Sequence, residues 1–379
     1  MLKNFWYAIE IASLVTDKPR KLTVLGMDLV VYRKPDGGVA VLSNLCPHRG
    51  GSLADGWTDG ECVRCPYHGW AFRPDGTCAE IPANTKGLPI PKKAQIDSYP
   101  CFERYGFVWA FLGDLPEAER PPPPVFPEFE EPGWRAIYGE FTWNAHYSRV
   151  TENAIDIAHT PFVHAKSFGN RDKPQIEQYD VEGDDWSAFA TVHLEPPTPK
   201  GLWKLIRRKR TLVKATTGVM MPNITALKLD LGKWKTVVYD SNVPVDEKTT
   251  RTLYVQLRNF FTGAWADSDA RRRMKKIFLE DQRTVEAQKP ELLPYDIGAE
   301  LHLKSDATAV AYRRLRRKFL DMGWGIDSHK IRSELTGRSA VVIPSPARRT
   351  NPELARAWVM PEAPVLQLRR KPASENDLS

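Results

Sequence analysis

The chain has 379 residues, 42% of them hydrophobic and 27% charged, which excludes a mostly disordered protein and suits two domains, or three. No apolar run nears the ~18 residues needed to cross a bilayer, and the start, Met1 to Glu10, breaks off too soon for a secretory signal. The net charge of +7 gathers in Lys204–Arg210, Arg271–Lys276 and Arg313–Lys318, which read as solvated faces or as a docking face for an acidic partner; without zinc-finger spacing or interleaved aromatics, neither nucleic acid nor a membrane is expected as partner.

Residues 1–115 read as short strands between turns. Leu22 to Leu25, Leu29 to Tyr32, Val39 to Leu42, Cys62 to Arg64, Trp70 to Phe72 and Gly106 to Phe111 are β-rich runs, punctuated by Pro35-Asp36-Gly37-Gly38 and Arg73-Pro74-Asp75-Gly76-Thr77. This predicts a small antiparallel β domain. It holds all five cysteines, Cys46, Cys62, Cys65, Cys78 and Cys101, too few and too odd in number for a disulfide scaffold, so a reducing, cytoplasmic setting is expected. Residues 116–133, with four consecutive prolines at Pro121–Pro124, predict an extended linker.

Beyond it, residues 134–368 mix helix and strand, giving an α+β chain overall. Tyr147 to His159 predicts a helix that Pro161 must end or distort. Val237 to Tyr239 and Thr252 to Leu257 are strand-like. Asp267 to Lys289 predicts a long helix capped by Asp267 or Ser268 and stopped by Pro290, and Ala307 to Met322 another. Residues 369–379 are polar and predicted to be a disordered tail.

Two segments carry the first chemistry: Cys46-Pro47-His48-Arg49-Gly50 and Cys65-Pro66-Tyr67-His68-Gly69-Trp70, that is, C-x-H, sixteen residues, then C-x-x-H. Two hairpin-like loops, each offering one thiolate and one imidazole, can clamp a binuclear iron–sulfur cluster, and imidazole in place of thiolate raises its reduction potential. A Cys₂His₂ zinc site, a Cys₃His one that recruits Cys62, or a thiol redox pair stays open on these residues alone. Cys62, Cys78 and Cys101 otherwise read as small core residues.

A second segment runs from Glu152-Asn153 through Asp156, His159 and Pro161 to His164. On a helix, Asn153, Asp156 and His159 would share one side, and the break at Pro161 lets His164 return toward His159. Two imidazoles need a carboxylate to make a facial triad with open positions. At about 100° per residue, Met274, Ile277, Phe278, Val285 and Gln288 form a stripe that contains Asp281, while Glu280 lies off it. An ionised carboxylate on an apolar stripe needs a counter-charge such as Fe²⁺, so Asp281 is preferred to Glu280; a wet helix edge is the alternative. Asn223, in the segment Met220 to Thr225, reads equally as a turn residue or a substrate contact.

Together, CPHRG, CPYHGW, the D-x-x-H-x₄-H segment and the Glu280-Asp281 pair resemble the Rieske-type non-haem iron oxygenases, in particular vanillate and dicamba O-demethylase and pheophorbide oxygenase-like members. The resemblance implies an all-β Rieske domain followed by a helix-grip catalytic domain, an antiparallel sheet with helices. It implies a [2Fe-2S] cluster with Cys46 and Cys65 on one iron and His48 and His68 on the other. It implies mononuclear Fe(II) held by His159, His164 and Asp281, with Asp156 joining a ligand histidine to a Rieske histidine, His68, of a neighbouring subunit in a homotrimer. The implied activity is mono- or dioxygenation, or oxidative demethylation, of a small organic substrate with O2. No G-x-G-x-x-G nucleotide fingerprint follows a strand, so a separate ferredoxin or reductase must deliver electrons from NAD(P)H. Two rivals remain: a Rieske electron-transfer protein fused to a non-catalytic binding domain, and a zinc-binding interaction protein.

Overall fold

The computed structural model describes residues 1–195, 212–327, 330–331, 341–355 and 362–368. The basic run Lys204–Arg210 and the tail 369–379 lie outside the described residues. Ten short strands come first: β1 (Phe5–Ile11), β2 (Arg20–Val24), β3 (Met27–Arg33), β4 (Val39–Ser43), β5 (Trp57–Asp59), β6 (Cys62–Arg64), β7 (Ala71–Phe72), β8 (Cys78–Glu80), β9 (Cys101–Arg104) and β10 (Phe107–Leu112). They form three antiparallel sheets, ordered β1-β10-β9, β2-β3-β4 and β5-β6-β7-β8. The aliphatic and aromatic runs in the sequence become these strands because alternate residues can be buried on a pleated surface.

The second part opens with β11 (Arg135–Trp143), helix α1 (Tyr147–Ile155) and the short helix α2 (Thr160–Val163). Strands β12 (Val181–Gly183), β13 (Ser187–Leu194), β14 (Val213–Met220), β15 (Ile224–Asp230), β16 (Lys235–Pro244) and β17 (Thr250–Arg258) follow, then α3 (Asp267–Val285) and α4 (Ala307–Asp321). All seven strands join one antiparallel sheet, ordered β11-β17-β16-β15-β14-β13-β12. This is the mixed α+β architecture expected, with helices set against an antiparallel sheet. None of the described helices is long and apolar enough to cross a membrane.

One face of the large sheet packs on the N-terminal layer, where Ser241 Oγ donates to the Ala8 carbonyl of β1 at 3.2 Å. Glu10, fully buried between the two parts, is paired with Arg20 and Arg251 at 2.8 Å each, so its charge is not left alone in the interior. The proline-rich stretch is anchored rather than free. Phe126 is buried and stacks on Tyr239 of β16 with ring centroids 3.9 Å apart, and Glu128 accepts from the Tyr239 hydroxyl. Burying a side chain of that size stabilises by roughly 1.5–3 kcal/mol. The chain returns late to the N-terminal layer: Arg348 donates to both oxygens of buried Asp97 at 2.8 and 2.7 Å, and the Tyr99 hydroxyl donates to the Ile343 carbonyl at 2.6 Å. Residues 341–355 are thus packed on the first part of the molecule, although they follow the second in sequence.

Three expectations change. Helix α1 stops at Ile155, and Asp156 is extended (φ −74°, ψ 132°), so Asn153, Asp156 and His159 do not share a helical face. The Asp156 Oδ1 accepts the Ala158 N–H at 2.8 Å, an Asx turn that competes with helix, and Pro161 sits in the first turn of α2, where its missing N–H costs nothing. Helix α3 begins after Ala266 without a side-chain cap, because the Asp267 carboxylate is taken by Arg135 and Arg258. The run Arg313–Lys318 is not a wholly solvated face, since Arg313 is buried in ion pairs with Glu152 and Glu300.

Candidate metal centres

The first centre stands on two loops of the same design. Between β4 and β5, Gly50 N–H donates to the Cys46 carbonyl at 2.9 Å; between β6 and β7, Gly69 N–H donates to the Cys65 carbonyl at 3.0 Å. Both glycines have positive φ, +68° and +72°, a conformation that lets each loop turn back on its cysteine. At Gly51 an added Cβ would lie 3.0 Å from Cys65 Sγ, so this position must stay bare for sulfur to keep its space.

Cys46 and Cys65 point inward and are buried, whereas His48 is half-buried and His68 exposed. The imidazoles are close, with centroids 4.5 Å apart, and Trp70 stacks on His48 at 4.7 Å and 6° between planes. Burial pushes the Cys46 thiol up to about 12, against backbone hydrogen bonds from His48 and Arg49 that pull it down. A thiolate there needs a metal to exist at neutral pH, and the same amides would then tune the bound sulfur. Burial, then the charges of His68 and Arg49, hold His48 below its ordinary value, in the neutral form that binds metal; its Nδ1 is buried without a hydrogen-bond partner. Among the described residues, no three of these four side chains bring ligand atoms within 4.8 Å of one another. A single tetrahedral zinc requires that convergence, whereas a two-iron cluster spans a wider gap. Cys62, Cys78 and Cys101 lie in strands, and Cys78 and Cys101 thiols face the carbonyls of Glu80 and Val39.

The second centre is built across the fold. His146 caps α1: burial holds its ring neutral, so Nδ1 accepts the Ser148 N–H at 3.3 Å. The turn at Asp156 and the short helix α2 then aim His159 and His164 at each other, with Nε2 atoms 3.3 Å apart. Asp281 of α3 enters from the other side, its Oδ1 3.5 Å from His159 Nε2 and 3.3 Å from His164 Nε2. These ligand atoms lie within 4.8 Å of one another, as three ligands on one face of an ion at ~2.1 Å would. Asp281 is buried, and its Oδ1 has no hydrogen-bond donor, a costly state that a divalent cation relieves.

Each imidazole is also held from behind. His159 Nδ1–H donates to Asp156 Oδ2 at 3.3 Å, and His164 Nδ1–H to Glu280 Oε2 at 2.9 Å. Such carboxylates fix the tautomer that leaves Nε2 free for metal. Glu280 is therefore not idle beside Asp281. Its second oxygen accepts from Ser167 Oγ at 2.7 Å, and these hydrogen bonds outweigh burial to hold its carboxyl below the usual range. Burial lowers the His164 imidazolium, but Asp281 and Glu280 outweigh it and leave a net upward shift. The α3 stripe places Asp281 inward and buried, with Met274, Phe278 and Val285 as its buried companions; Gln288 falls beyond the helix end. Asn223 is fully buried, with its amide on the Ser241 hydroxyl at 3.3 Å and its Oδ1 without a hydrogen-bond partner.

Comparison with known proteins follows the same division. Residues 5–100 match the Rieske [2Fe-2S] domain, and residues 143–322 match the vanillate O-demethylase oxygenase C-terminal domain. The chain is 35% identical, over 47% of its length and 52% of the relative's, to the toluene-4-sulfonate monooxygenase system iron-sulfur subunit TsaM1 of Comamonas testosteroni. It is 28% identical to the vanillate O-demethylase oxygenase subunit of Pseudomonas sp. (strain HR199 / DSM 7063), over 84% of this chain and 94% of that one. Several curated relatives are matched over only about half to two thirds of their own length. The crystal structure of dicamba monooxygenase bound to 3,6-dichlorosalicylic acid superposes with a TM-score of 0.72 at 25% identity, covering 85% of this chain and 98% of that one. Two tight Cys/His loops in a Rieske domain, followed by a His/His/Asp convergence in an oxygenase C-terminal domain, make this chain a member of the Rieske-type non-haem iron oxygenases.

Proposed function

We propose that this protein is the terminal oxygenase component of a multicomponent system. It would use O2, and electrons relayed from NAD(P)H by a separate ferredoxin or reductase, to hydroxylate or oxidatively demethylate a small aromatic or cyclic molecule in the cytoplasm. The observation that carries this reading is the presence in one chain of two donor sets of different kinds, Cys46/His48/Cys65/His68 and His159/His164/Asp281. When bound, the [2Fe-2S] cluster supplies stored single electrons and the ferrous ion supplies oxygen activation. Relatives named for vanillate, dicamba and toluene-4-sulfonate support a small ring substrate.

In this reading Cys46 and Cys65 would hold one iron of the cluster, and His48 and His68 the other. His159, His164 and Asp281 would hold the mononuclear iron. Asp156 and Glu280 keep the two imidazoles in the metal-binding tautomer. The homotrimer is part of the proposal: exposed Tyr67 beside His68, and exposed Phe162, Phe168 and Leu279 beside the triad, are apolar surfaces suited to a subunit interface. Asp156, partly exposed while bonded to His159, would then meet His68 of a neighbour.

The test supplies the purified holoenzyme with a surrogate ferredoxin and reductase, NADH and ¹⁸O₂, and screens ring compounds for labelled product. Label should enter product in the intact protein and be absent with His159→Ala. Equal incorporation by that variant would contradict the assignment.

A further inference from the structure

At one end of the large sheet, β15 turns into β16 and β17 runs out toward α3. Trp234 stands on the turn, and Phe260, Phe261 and Trp265 on the segment between β17 and α3. Their rings form one chain, with centroids 5.9 Å apart from Trp234 to Phe260, 5.6 Å from Phe260 to Phe261 and 5.7 Å from Phe261 to Trp265. Yet Trp234 is 44% exposed, Phe261 58% and Trp265 74%. Large apolar side chains exposed singly are ordinary, whereas a contiguous patch marks a contact surface.

The patch is held in shape. Asn259 Oδ1 accepts the Lys235 N–H at 2.7 Å, and its amide donates to the Lys233 carbonyl at 3.1 Å, which locks turn and segment together. Arg258 Nε donates to the Phe261 carbonyl at 3.2 Å, and Phe261 has φ +48°, a left-handed conformation that a bulky residue adopts at a cost. A Cβ at Gly263 would lie 2.4 Å from Trp265 Nε1, so the bare glycine lets the indole lie against the backbone. The scaffold thus fixes these rings in solvent instead of burying them.

Cations surround the rings. Lys233 Nζ lies 5.5 Å from the Trp234 ring centre, and α3, which starts directly after Ala266, carries Arg271, Arg272, Arg273, Lys275 and Lys276 exposed. Arg272 and Arg273 share Asp269, and Lys276 reaches Glu280 at 3.7 Å; among the described residues no carboxylate pairs with Lys233, Arg271 or Lys275. A second copy of the chain seated here would bring like charge against like. The patch is also remote from both metal centres. Helix α3 reaches Asp281 about 20 Å beyond its start. Strand β16 runs about 30 Å from Lys235 to Pro244. The cluster loops belong to the Pro244 end: Leu25 N–H donates to the Pro244 carbonyl at 2.7 Å, and Asn44 N–H, just before Cys46, to Asp28 of the same hairpin at 3.1 Å. Electron transfer weakens steeply with distance, so an electron-donor protein gains nothing by docking here.

We propose that this patch seats the protein on an anionic lipid surface, with Trp234, Phe261 and Trp265 in the headgroup region and the cations over charged lipids. Indole suits that layer, being apolar in its body and polar at its N–H. Each Lys or Arg close to an anionic surface adds to the attraction. The attachment is peripheral, since none of the described helices can cross a bilayer. It departs from the expectation of no membrane partner, because these residues are scattered over 233–276 in the sequence and gather only in the fold.

The experiment is co-sedimentation of the iron-loaded protein with vesicles of phosphatidylcholine alone, and of equal parts phosphatidylcholine and phosphatidylglycerol. Binding to the anionic vesicles should be at least about tenfold stronger at low salt and should fall as salt rises. Trp265→Ser with Phe261→Asn, which suits the left-handed backbone, should weaken it at least about tenfold. Lys233→Glu with Lys275→Glu should weaken binding to the anionic vesicles alone, and both pairs should keep iron content and mass in solution. No preference for anionic vesicles, binding unchanged by either pair, or a lower mass that makes the patch a subunit contact overturns the proposal. The oxygenase reading does not depend on it and is judged by iron and sulfide content.

Discussion

The two candidate metal centres are built on opposite plans. The first is local: two loops separated by sixteen residues, each closed by a glycine amide on its own cysteine carbonyl, present all four donors from within the N-terminal β layer. The second is global, joining a turn after α1 to a helix 116 residues further along, and each of its imidazoles leans on a carboxylate behind it. A local site needs only its loops. A global one needs the packing of α3 against β11 and β17, through Phe278 on Phe141, Trp143 and Tyr254, before its third donor arrives. The first should therefore survive damage that empties the second.

The sharpest way to break that contrast is Asp281→Ala. It should lower mononuclear iron content and turnover by more than about a hundredfold while the visible spectrum and sulfide content of the cluster stay unchanged; loss of both together would show the centres to be one folding unit. Asp156→Asn comes next. It should retain both metals and nearly abolish turnover, read as cluster reduction that is no longer followed by product; normal steady-state rates would remove Asp156 from the electron path. Glu280→Gln should weaken iron binding about 10–100-fold, measured by competition with a chelator, since it removes the charge behind His164. Affinity equal to that of the unaltered protein would make Glu280 a bystander.

The smallest effect concerns the clamp behind the second centre. Glu300 accepts from Arg149 of α1 and Arg313 of α4, and these hydrogen bonds, against partial burial, hold its carboxyl down to about 2. The folded value lies below the ordinary one of about 4.5, so the stabilisation is fully present above pH 4.5. It is lost as pH falls from there toward 2. Because Glu300 is partly solvated, Glu300→Gln should cost about 1 kcal/mol at pH 7 and less near pH 3, read as the difference in denaturant midpoint. A difference that stayed constant across that range would exclude the ionised clamp.

The contrast also explains how much could be read from the chain. The short strands, the Cys/His loops and the amphipathic stripe on α3 all express local periodicity, so Cys46, His48, Cys65, His68 and Asp281 were visible as candidates from spacing and resemblance. The end of α1 was not, because an Asx turn at Asp156 overrode helical propensity four residues before the expected stop. Glu280 was set aside since a stripe argument sorts side chains by burial, and a carboxylate that reaches round from the helix edge to His164 Nδ1 is invisible to it. The return of residues 341–355 to Asp97 and Tyr99 was equally hidden, being a contact of high sequence separation.

The most direct test of the central claim is iron and acid-labile sulfide analysis of the holoenzyme with EPR after dithionite reduction, alongside Asp281→Ala. The account predicts two irons and two sulfides for the cluster plus one iron for the triad, a rhombic signal of low average g, and loss of the third iron alone in the variant. A colourless protein, or a variant that keeps all its iron, would contradict it.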